Sequence, residues 1–175
     1  LWLTGQKHRV DQVLQGLGGG MSMTGPVGGP PSKFGIPIAD IAAGMFAAFA
    51  VSSALYTREK RGVGQWIDAS MLGGQVALQS YLAGRYFATG RPPGLSGNRH
   101  GSIAPYETFE ASDGYVNVAC GTEGMWKAFC KALGLEPLLD DPRFTLIKDR
   151  VANREPLVEA IQARVSTMTV DEVVK

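Results

Sequence analysis

The 175-residue chain is long enough for one domain or for parts of two, with a core of its own. Its 17 Lys and Arg residues nearly balance 16 Asp and Glu residues, so the charge argues against nucleic acid or an acidic membrane surface as a partner. The only cysteines, Cys120 and Cys130, lie in apolar surroundings without clustered histidines, which indicates a reduced protein without a metal site.

Both ends of the sequence resemble cut points. Leu1 is not an initiator Met, and residues 1–5 have neither the basic segment nor the cleavage site of a signal peptide. At the other end, a helical pattern still continues at Lys175. We therefore expect an internal segment of a longer protein.

The first predicted element is a short helix over residues 10–17, which the glycines at 18–20 end. Residues 21–33 contain closely spaced Gly and Pro turn signals and predict a loop. Such a loop can cradle a phosphate, but its spacing matches neither a P-loop nor a dinucleotide-binding fingerprint. The alternative is a loop that must pass close to another backbone segment.

The longest apolar run covers residues 41–56. It predicts a buried helix, because it is apolar on all sides and shorter than the roughly 20 residues that span a bilayer. Asp40 precedes the run, and we expect its carboxylate to cap the helix. Unpaired N–H groups and the helix dipole would favour the ionised form. An Asp at such a place can serve as a cap only, so this interpretation stands beside a chemical role.

A basic turn over residues 58–64 ends this helix. The alternation of residues 65–71 predicts a short strand, and the spacing of apolar residues in 72–89 predicts another helix before Gly90. The order helix, strand, helix is typical of an α/β layer.

A Pro- and Gly-rich connector at residues 91–101 marks a domain boundary. We predict part of a large α/β domain over 1–90, a linker over 91–104, and a small α+β domain over 105–175. In the small domain, strands at 106–110 and 115–120 flank the hairpin signal Asp113-Gly114. Helices are predicted at 123–133, at about 153–168, and after a capping box that begins at Thr169.

Seven segments, in the same order along the chain, resemble family III CoA-transferases. They are GGMSMTG at 19–25, GIPIAD at 35–40, GVGQWIDASM at 62–71, GNRH at 97–100, APY at 104–106, DGY at 113–115 and DPRF at 141–144. That family includes formyl-CoA transferases, carnitine CoA-transferases and alpha-methylacyl-CoA racemases. The resemblance runs along nearly the whole chain and implies the middle of a subunit of roughly twice this length or more.

The resemblance also implies a fold, substrates and an assembly. The family fold is an open α/β large domain joined by linkers to a small α+β domain, and two subunits interlock in a homodimer. The substrates are an acyl-CoA and a carboxylic acid, so coenzyme A enters as a thioester substrate and no cofactor is bound permanently. The expected location is the cytoplasm, or the mitochondrial or peroxisomal matrix in a eukaryote.

Site residues follow from matching positions. Asp40 matches the catalytic Asp that becomes acylated in the transferases, and Asp11 matches an acidic residue beside it. The stretch that touches CoA is matched by Lys7, His8, Arg9 and Val10. Backbone N–H groups of residues 97–101, with Asn98, His100 and Gly101, are candidates for stabilising an oxyanion, as part of a substrate loop. The alternative for His100 is an ordinary surface-loop histidine.

Two other functions remain open at this point. In the racemases the same Asp works with a His, and the place of that His is taken here by Val10, with His8 two residues away. This difference favours CoA transfer over racemisation. The third hypothesis is a non-catalytic interaction module, which a pocket wall without charged residues near Asp40 would support.

Overall fold

The computed structural model describes residues 10–175, so the predicted CoA contacts Lys7, His8 and Arg9 lie outside the described residues. The chain divides into two compact units, residues 1–97 and 98–175. The predicted linker, 91–104, spans the point of division.

The described part of the first unit is helical. Its helices are α1 (Asp11–Leu17), α2 (Ile38–Arg61), α3 (Met71–Ala77) and α4 (Ser80–Thr89), with one 3-10 turn at Gly20–Ser22. The prediction of α1 and of its end at the glycines is confirmed, since Gly18 donates its N–H to the carbonyl of Leu14 at 2.8 Å. α2 contacts both α1 and α3.

The strand predicted for residues 65–71 is wrong. Residues 63–70 have no regular structure, and Ser70 caps α3 by accepting the N–H of Gly73 at 3.0 Å. A strand needs a neighbour for its backbone hydrogen bonds, and the described residues of this unit form none. The helix predicted for 72–89 is interrupted at residues 78–79. The second part, α4, begins at Ser80, which has a positive φ of 43°.

α2 begins earlier than predicted and is largely exposed. It starts at Ile38, runs for 24 residues, and ends at Gly62, whose φ of 70° is the left-handed conformation that glycine favours. Of its residues only Ala39 and Ala42 are buried, while Phe49 is 78% exposed. The prediction of a buried helix is therefore wrong for the described part of the chain, because α1 and α3 cover only a small part of the α2 surface.

Within residues 10–175, α2 is the one helix with the length and apolar composition of a membrane-crossing segment, and 11% of its apolar stretch is buried. The shorter predicted run did not reach that length, because the helix extends beyond it at both ends. Length and composition are weak evidence for a span, since core helices of soluble proteins share both.

The second unit packs helices against a two-stranded antiparallel sheet. Strands β1 (Tyr106–Ala111) and β2 (Gly114–Ala119) pair from Tyr106 opposite Ala119 to Ala111 opposite Gly114. The predicted hairpin is confirmed, with Ser112 and Asp113 as the connecting residues. The core of this unit lies between the sheet and the helices and contains Phe109, Val116, Val118, Trp126, Leu157 and Ile161.

The helices of the second unit are α5 (Glu123–Leu133), α6 (Ile147–Ala152), α7 (Arg154–Val165) and α8 (Val170–Val174). The predicted bounds of α5 and its end at Gly134 are confirmed. The predicted capping box is also confirmed, because Thr169 Oγ1 accepts the N–H of Glu172 and Glu172 Oε2 accepts the N–H of Thr169. The helix predicted at about 153–168 corresponds to α7.

Candidate active site around Asp11 and Asp40

Asp11 joins the beginning of α1 to the beginning of α2. Its Oδ1 accepts the backbone N–H of Ala39 at 2.8 Å, and its Oδ2 accepts a hydrogen bond from Gln15 Nε2 at 2.7 Å. A helix leaves its first N–H groups without partners inside the helix. A side chain from α1 thus satisfies one of these groups at the N-terminus of α2.

Asp40 is the third residue of α2, and its side chain is exposed. The prediction that Asp40 caps the helix is wrong. The helix begins two residues before Asp40, and Pro37 takes the cap position without a side-chain hydrogen bond. Among the described residues, no hydrogen bond or ion pair engages the Asp40 carboxylate. In the candidate site, the Asp11 carboxylate on α1 thus accepts hydrogen bonds at both oxygens, whereas the Asp40 carboxylate on α2 has both oxygens available.

Gln15 contacts Asp11 and was not predicted from the sequence to belong to the candidate site. It is 1% exposed; its Oε1 accepts the N–H of Phe34 at 2.7 Å, and its Nε2 donates to Asp11 and, at 3.5 Å, to the carbonyl of Ile36. Asp11 and Gln15 are four residues apart, a spacing that brings side chains together on a helix. That spacing was the available signal for the pair, whereas the contacts to residues 34 and 36 depend on how the loop folds back.

The glycines between α1 and α2 permit close approach. At Gly25, where φ is 142°, an added Cβ would lie 2.6 Å from the carbonyl oxygen of Pro30, so two parts of the same loop pass close to each other there. At Gly18 an added Cβ would lie 2.6 Å from Cγ of the buried Gln75 on α3. Gln79 also donates a hydrogen bond to the Gly18 carbonyl. These contacts fix the chain that follows α1.

Val10, the one predicted CoA contact within the described residues, immediately precedes α1 and is 53% exposed. Its side chain is thus accessible near the bound carboxylate of Asp11. An open apolar recess of about 430 Å³ also lies in this unit, between α2 and α3, with Phe46, Phe49 and Ile67 among its lining residues. Neither Asp11 nor Asp40 lines it, so it is separate from the candidate site.

The predicted substrate-loop residues Asn98, His100 and Gly101 belong to the second unit. His100 is partly buried, its ring stacks on Tyr106 with 5.0 Å between ring centroids, and its N–H donates to the Tyr106 carbonyl at 2.9 Å. Arg154 donates to the carbonyls of His100 and Ile103. These contacts hold His100 against the beginning of β1, and the role of His100 in a substrate loop stays a prediction.

Charged side chains hold the same segment of the second unit. Glu107, which is buried, accepts from Arg99 at 3.1 Å and from Arg154 at 3.0 Å. Arg99 also pairs with Glu155 at 2.6 Å, and the hydrogen bond from Arg99 lowers the pKa of Glu155. Buried charges are stable only when they are paired, so this network fixes the chain between Arg99 and Glu107.

The two cysteines are free and buried in the second unit. Burial raises the pKa of Cys120 to about 11 and that of Cys130 to about 12. Because the thiolate is the nucleophilic form, neither is a candidate nucleophile. Within residues 10–175, no three His, Cys, Asp or Glu side chains are grouped so that they could hold a metal ion.

Comparison with known proteins gives a consistent result. A model of CoA-transferase family III matches residues 5–175. The chain is similar to acetyl-CoA:oxalate CoA-transferase of Acetobacter aceti, with 37% identity over 157 residues, which are 89% of this chain and 40% of that protein. It is also similar to succinate–glutarate CoA-transferase of Agrobacterium fabrum, with 38% identity over 144 residues, 82% of this chain and 36% of that protein.

Among solved structures, a CAIB/BAIF family protein from Brucella suis superimposes with a TM-score of 0.80 at 36% identity. The match covers 94% of this chain and 44% of that one, so the chain spans less than half the length of these relatives. The predicted family III fold, with part of an open α/β large domain followed by part of a small α+β domain, is confirmed by this similarity. The protein belongs to CoA-transferase family III.

Proposed function

We propose that this chain is the central part of a CoA-transferase subunit and that Asp40 is its nucleophile. The enzyme would move CoA from an acyl-CoA donor to a carboxylic acid acceptor. The observation that carries the proposal is the position of Asp40. Its carboxylate is exposed in the first turn of α2, directly after Ala39, whose N–H is bound by Asp11.

The first half of the reaction transfers CoA to the enzyme. An oxygen of the Asp40 carboxylate attacks the thioester carbon of the donor and expels CoA thiolate, which leaves a mixed anhydride on Asp40. The thiolate then attacks the Asp40 carbonyl carbon and releases the donor acid as its carboxylate. The product is an aspartyl-CoA thioester.

The second half repeats these steps in reverse order. The acceptor carboxylate attacks the aspartyl-CoA thioester, expels CoA thiolate and forms a second mixed anhydride. The thiolate attacks the acceptor acyl carbon of that anhydride, which gives the new acyl-CoA and restores the Asp40 carboxylate. Every step exchanges one acyl bond for another, so no oxidant and no net proton transfer are required.

Each attack develops an oxyanion, which preorganised N–H groups stabilise. Of the N–H groups proposed for this task at residues 97–101, that of Gly97 donates to Gly25 and that of His100 donates to Tyr106. Both are therefore engaged. We retain Asn98 and Gly101 as the candidates in this segment, and Lys7, His8, Arg9 and Val10 as candidates for CoA binding.

The two rival hypotheses have less support. Racemisation requires a second acid or base opposite Asp40, and Val10 at the matching position has no ionisable group. A non-catalytic module would suit an uncharged pocket wall, but the Asp11 carboxylate binds the residue next to Asp40. Neither observation favours the rival function.

The proposal extends to assembly and location. An interlocked homodimer would cover apolar side chains that α2 exposes, such as Met45, Phe49 and Tyr56. Light scattering of the complete subunit would test the dimer, since a monomeric active enzyme would contradict it.

The free buried cysteines support a reducing compartment such as the cytoplasm.

The function is tested by assaying the complete subunit with a panel of acyl-CoA donors and carboxylic acid acceptors. We expect acyl-CoA of the acceptor to form in equal amount to the free donor acid, without hydrolysis. Hydrolysis alone, or acyl-CoA consumption that does not depend on an acceptor, would contradict CoA transfer.

A further inference from the structure

We propose that Gln15 is a positioning residue for Asp40. Its buried side-chain amide holds the segment before α2 and the Asp11 carboxylate in one fixed arrangement, and thereby sets where the nucleophile lies. The inference rests on the proposed role of Asp40. It concerns a residue that contacts neither Asp40 nor, by its burial, a substrate.

The amide of Gln15 uses both of its functional groups. Its oxygen accepts the N–H of Phe34 at 2.7 Å, and its nitrogen donates to the Asp11 carboxylate at 2.7 Å and to the carbonyl of Ile36 at 3.5 Å. The bonded backbone groups lie 19 and 21 residues further along the chain. Gln15 therefore connects α1 to the backbone that leads into α2.

A second connection runs through Asp11. Gln15 Nε2 orients Oδ2 of Asp11, and Oδ1 of the same carboxylate accepts the N–H of Ala39 at 2.8 Å. Ala39 is 0% exposed and directly precedes Asp40. The segment 34–39 is thus held at its beginning by Gln15 itself and at its end by Asp11, which Gln15 orients.

This arrangement predicts a specific kinetic effect. A nucleophile displaced by about 1 Å can lose on the order of 100-fold in rate. Substrate binding depends on other groups. Loss of the Gln15 hydrogen bonds should therefore lower kcat and leave KM for the acyl-CoA nearly unchanged. A residue that merely supports the fold would instead lower the amount of folded enzyme and leave the kcat of the folded fraction unchanged.

The experiment compares Gln15→Met with Gln12→Met in the complete subunit. Methionine keeps a similar length and removes both hydrogen-bonding groups, and Gln12 lies exposed on the same helix. For Gln15→Met we expect a 10- to 100-fold lower kcat per folded active site, a KM within about twofold, and faster amide exchange over residues 34–39. Gln12→Met should match wild type in all three measurements.

Gln15→Glu serves if Gln15→Met does not fold. It keeps an acceptor for the Phe34 N–H and replaces the donor to Asp11 by a carboxylate, so we expect the same loss of kcat and faster exchange near Ala39. Unchanged kcat, or unchanged exchange over residues 34–39, in a folded variant would overturn the proposal. If Asp40→Asn retained transfer, the nucleophile assignment would fail. The amide exchange data would still show whether Gln15 holds residues 34–39.

Discussion

The Asp11 carboxylate binds the backbone N–H of Ala39 at 2.8 Å, so the N–H of the residue before Asp40 finds its partner in α1 and not in its own helix. This bond separates two tasks that one carboxylate was expected to perform. Asp11 satisfies the N-terminus of α2, and Asp40 keeps its oxygens available for chemistry.

The first prediction concerns Asp40. Asp40→Asn should abolish CoA transfer, because the proposed nucleophile is the carboxylate. It should change the free energy of unfolding by less than about 1 kcal/mol, because the side chain is exposed and caps nothing. Activity and urea unfolding of the complete subunit measure both effects. Asp68→Asn, at another exposed Asp of this unit, is the control and should remain active. Transfer by Asp40→Asn would exclude Asp40 as nucleophile.

The second prediction concerns Asp11. Asp11→Ala leaves the N–H of the buried Ala39 without its side-chain partner and removes one of the two acceptors of Gln15 Nε2. A lost partner of a buried polar group costs about 1–3 kcal/mol. We expect a decrease of that size in the free energy of unfolding, measured with urea. Gln12→Ala on the exposed face of α1 should change it far less. Equal stabilities for the two variants would contradict the capping role of Asp11.

The third prediction concerns a covalent intermediate. Acyl-CoA without an acceptor should label Asp40, because both the anhydride and the aspartyl thioester react with hydroxylamine. Mass spectrometry of the peptide should then show a hydroxamate at Asp40, and the Asp40→Asn variant should show none. An unmodified peptide during rapid turnover would argue against covalent catalysis.

The fourth prediction separates transfer from racemisation. Racemisation needs two positioned acid/base groups, and Val10 cannot supply one. We therefore expect no solvent deuterium at the alpha carbon of a 2-methylacyl-CoA, as measured by NMR after incubation with the complete subunit. Rapid uptake that disappears in His8→Ala and in Asp40→Asn would make the protein an epimerase.

The fifth prediction concerns pH. Glu123 accepts a hydrogen bond at 2.9 Å from the fully buried Arg150, and this bond is the main reason why the pKa of Glu123 lies below its usual value. The pair thus adds stability above the ordinary pKa of a glutamic acid, and that stability is lost as the pH falls through the lower, folded-state pKa.

Glu123→Gln should consequently lower the Tm at pH 7, and the difference from wild type should shrink as the pH falls below about 4. Thermal denaturation followed by circular dichroism at several pH values measures this trend. Glu159→Gln, on the exposed surface of α7, is the matched control. A Tm difference that stays constant from pH 7 to pH 3 would contradict the stabilising role of the ionised pair.

Local patterns predicted the elements whose hydrogen bonds stay within a few residues. The capping box at Thr169, the end of α5 at Gly134 and the hairpin around Asp113 all depend on neighbours in the sequence. The ordered motifs likewise identified the family, since they are properties of the sequence itself. The roles predicted for Asp11 and Asp40 by that resemblance stay predictions.

Tertiary structure decided what depends on distant parts of the chain. The alternation at residues 65–71 has the pattern of a strand, but a strand forms only where another backbone supplies its hydrogen bonds. Similarly, Asp40 has the residue type of a cap, yet Asp11 takes that role from 28 residues away. Gln15 gains its bonds to residues 34 and 36 only when the intervening loop folds back, because no local spacing encodes such a contact.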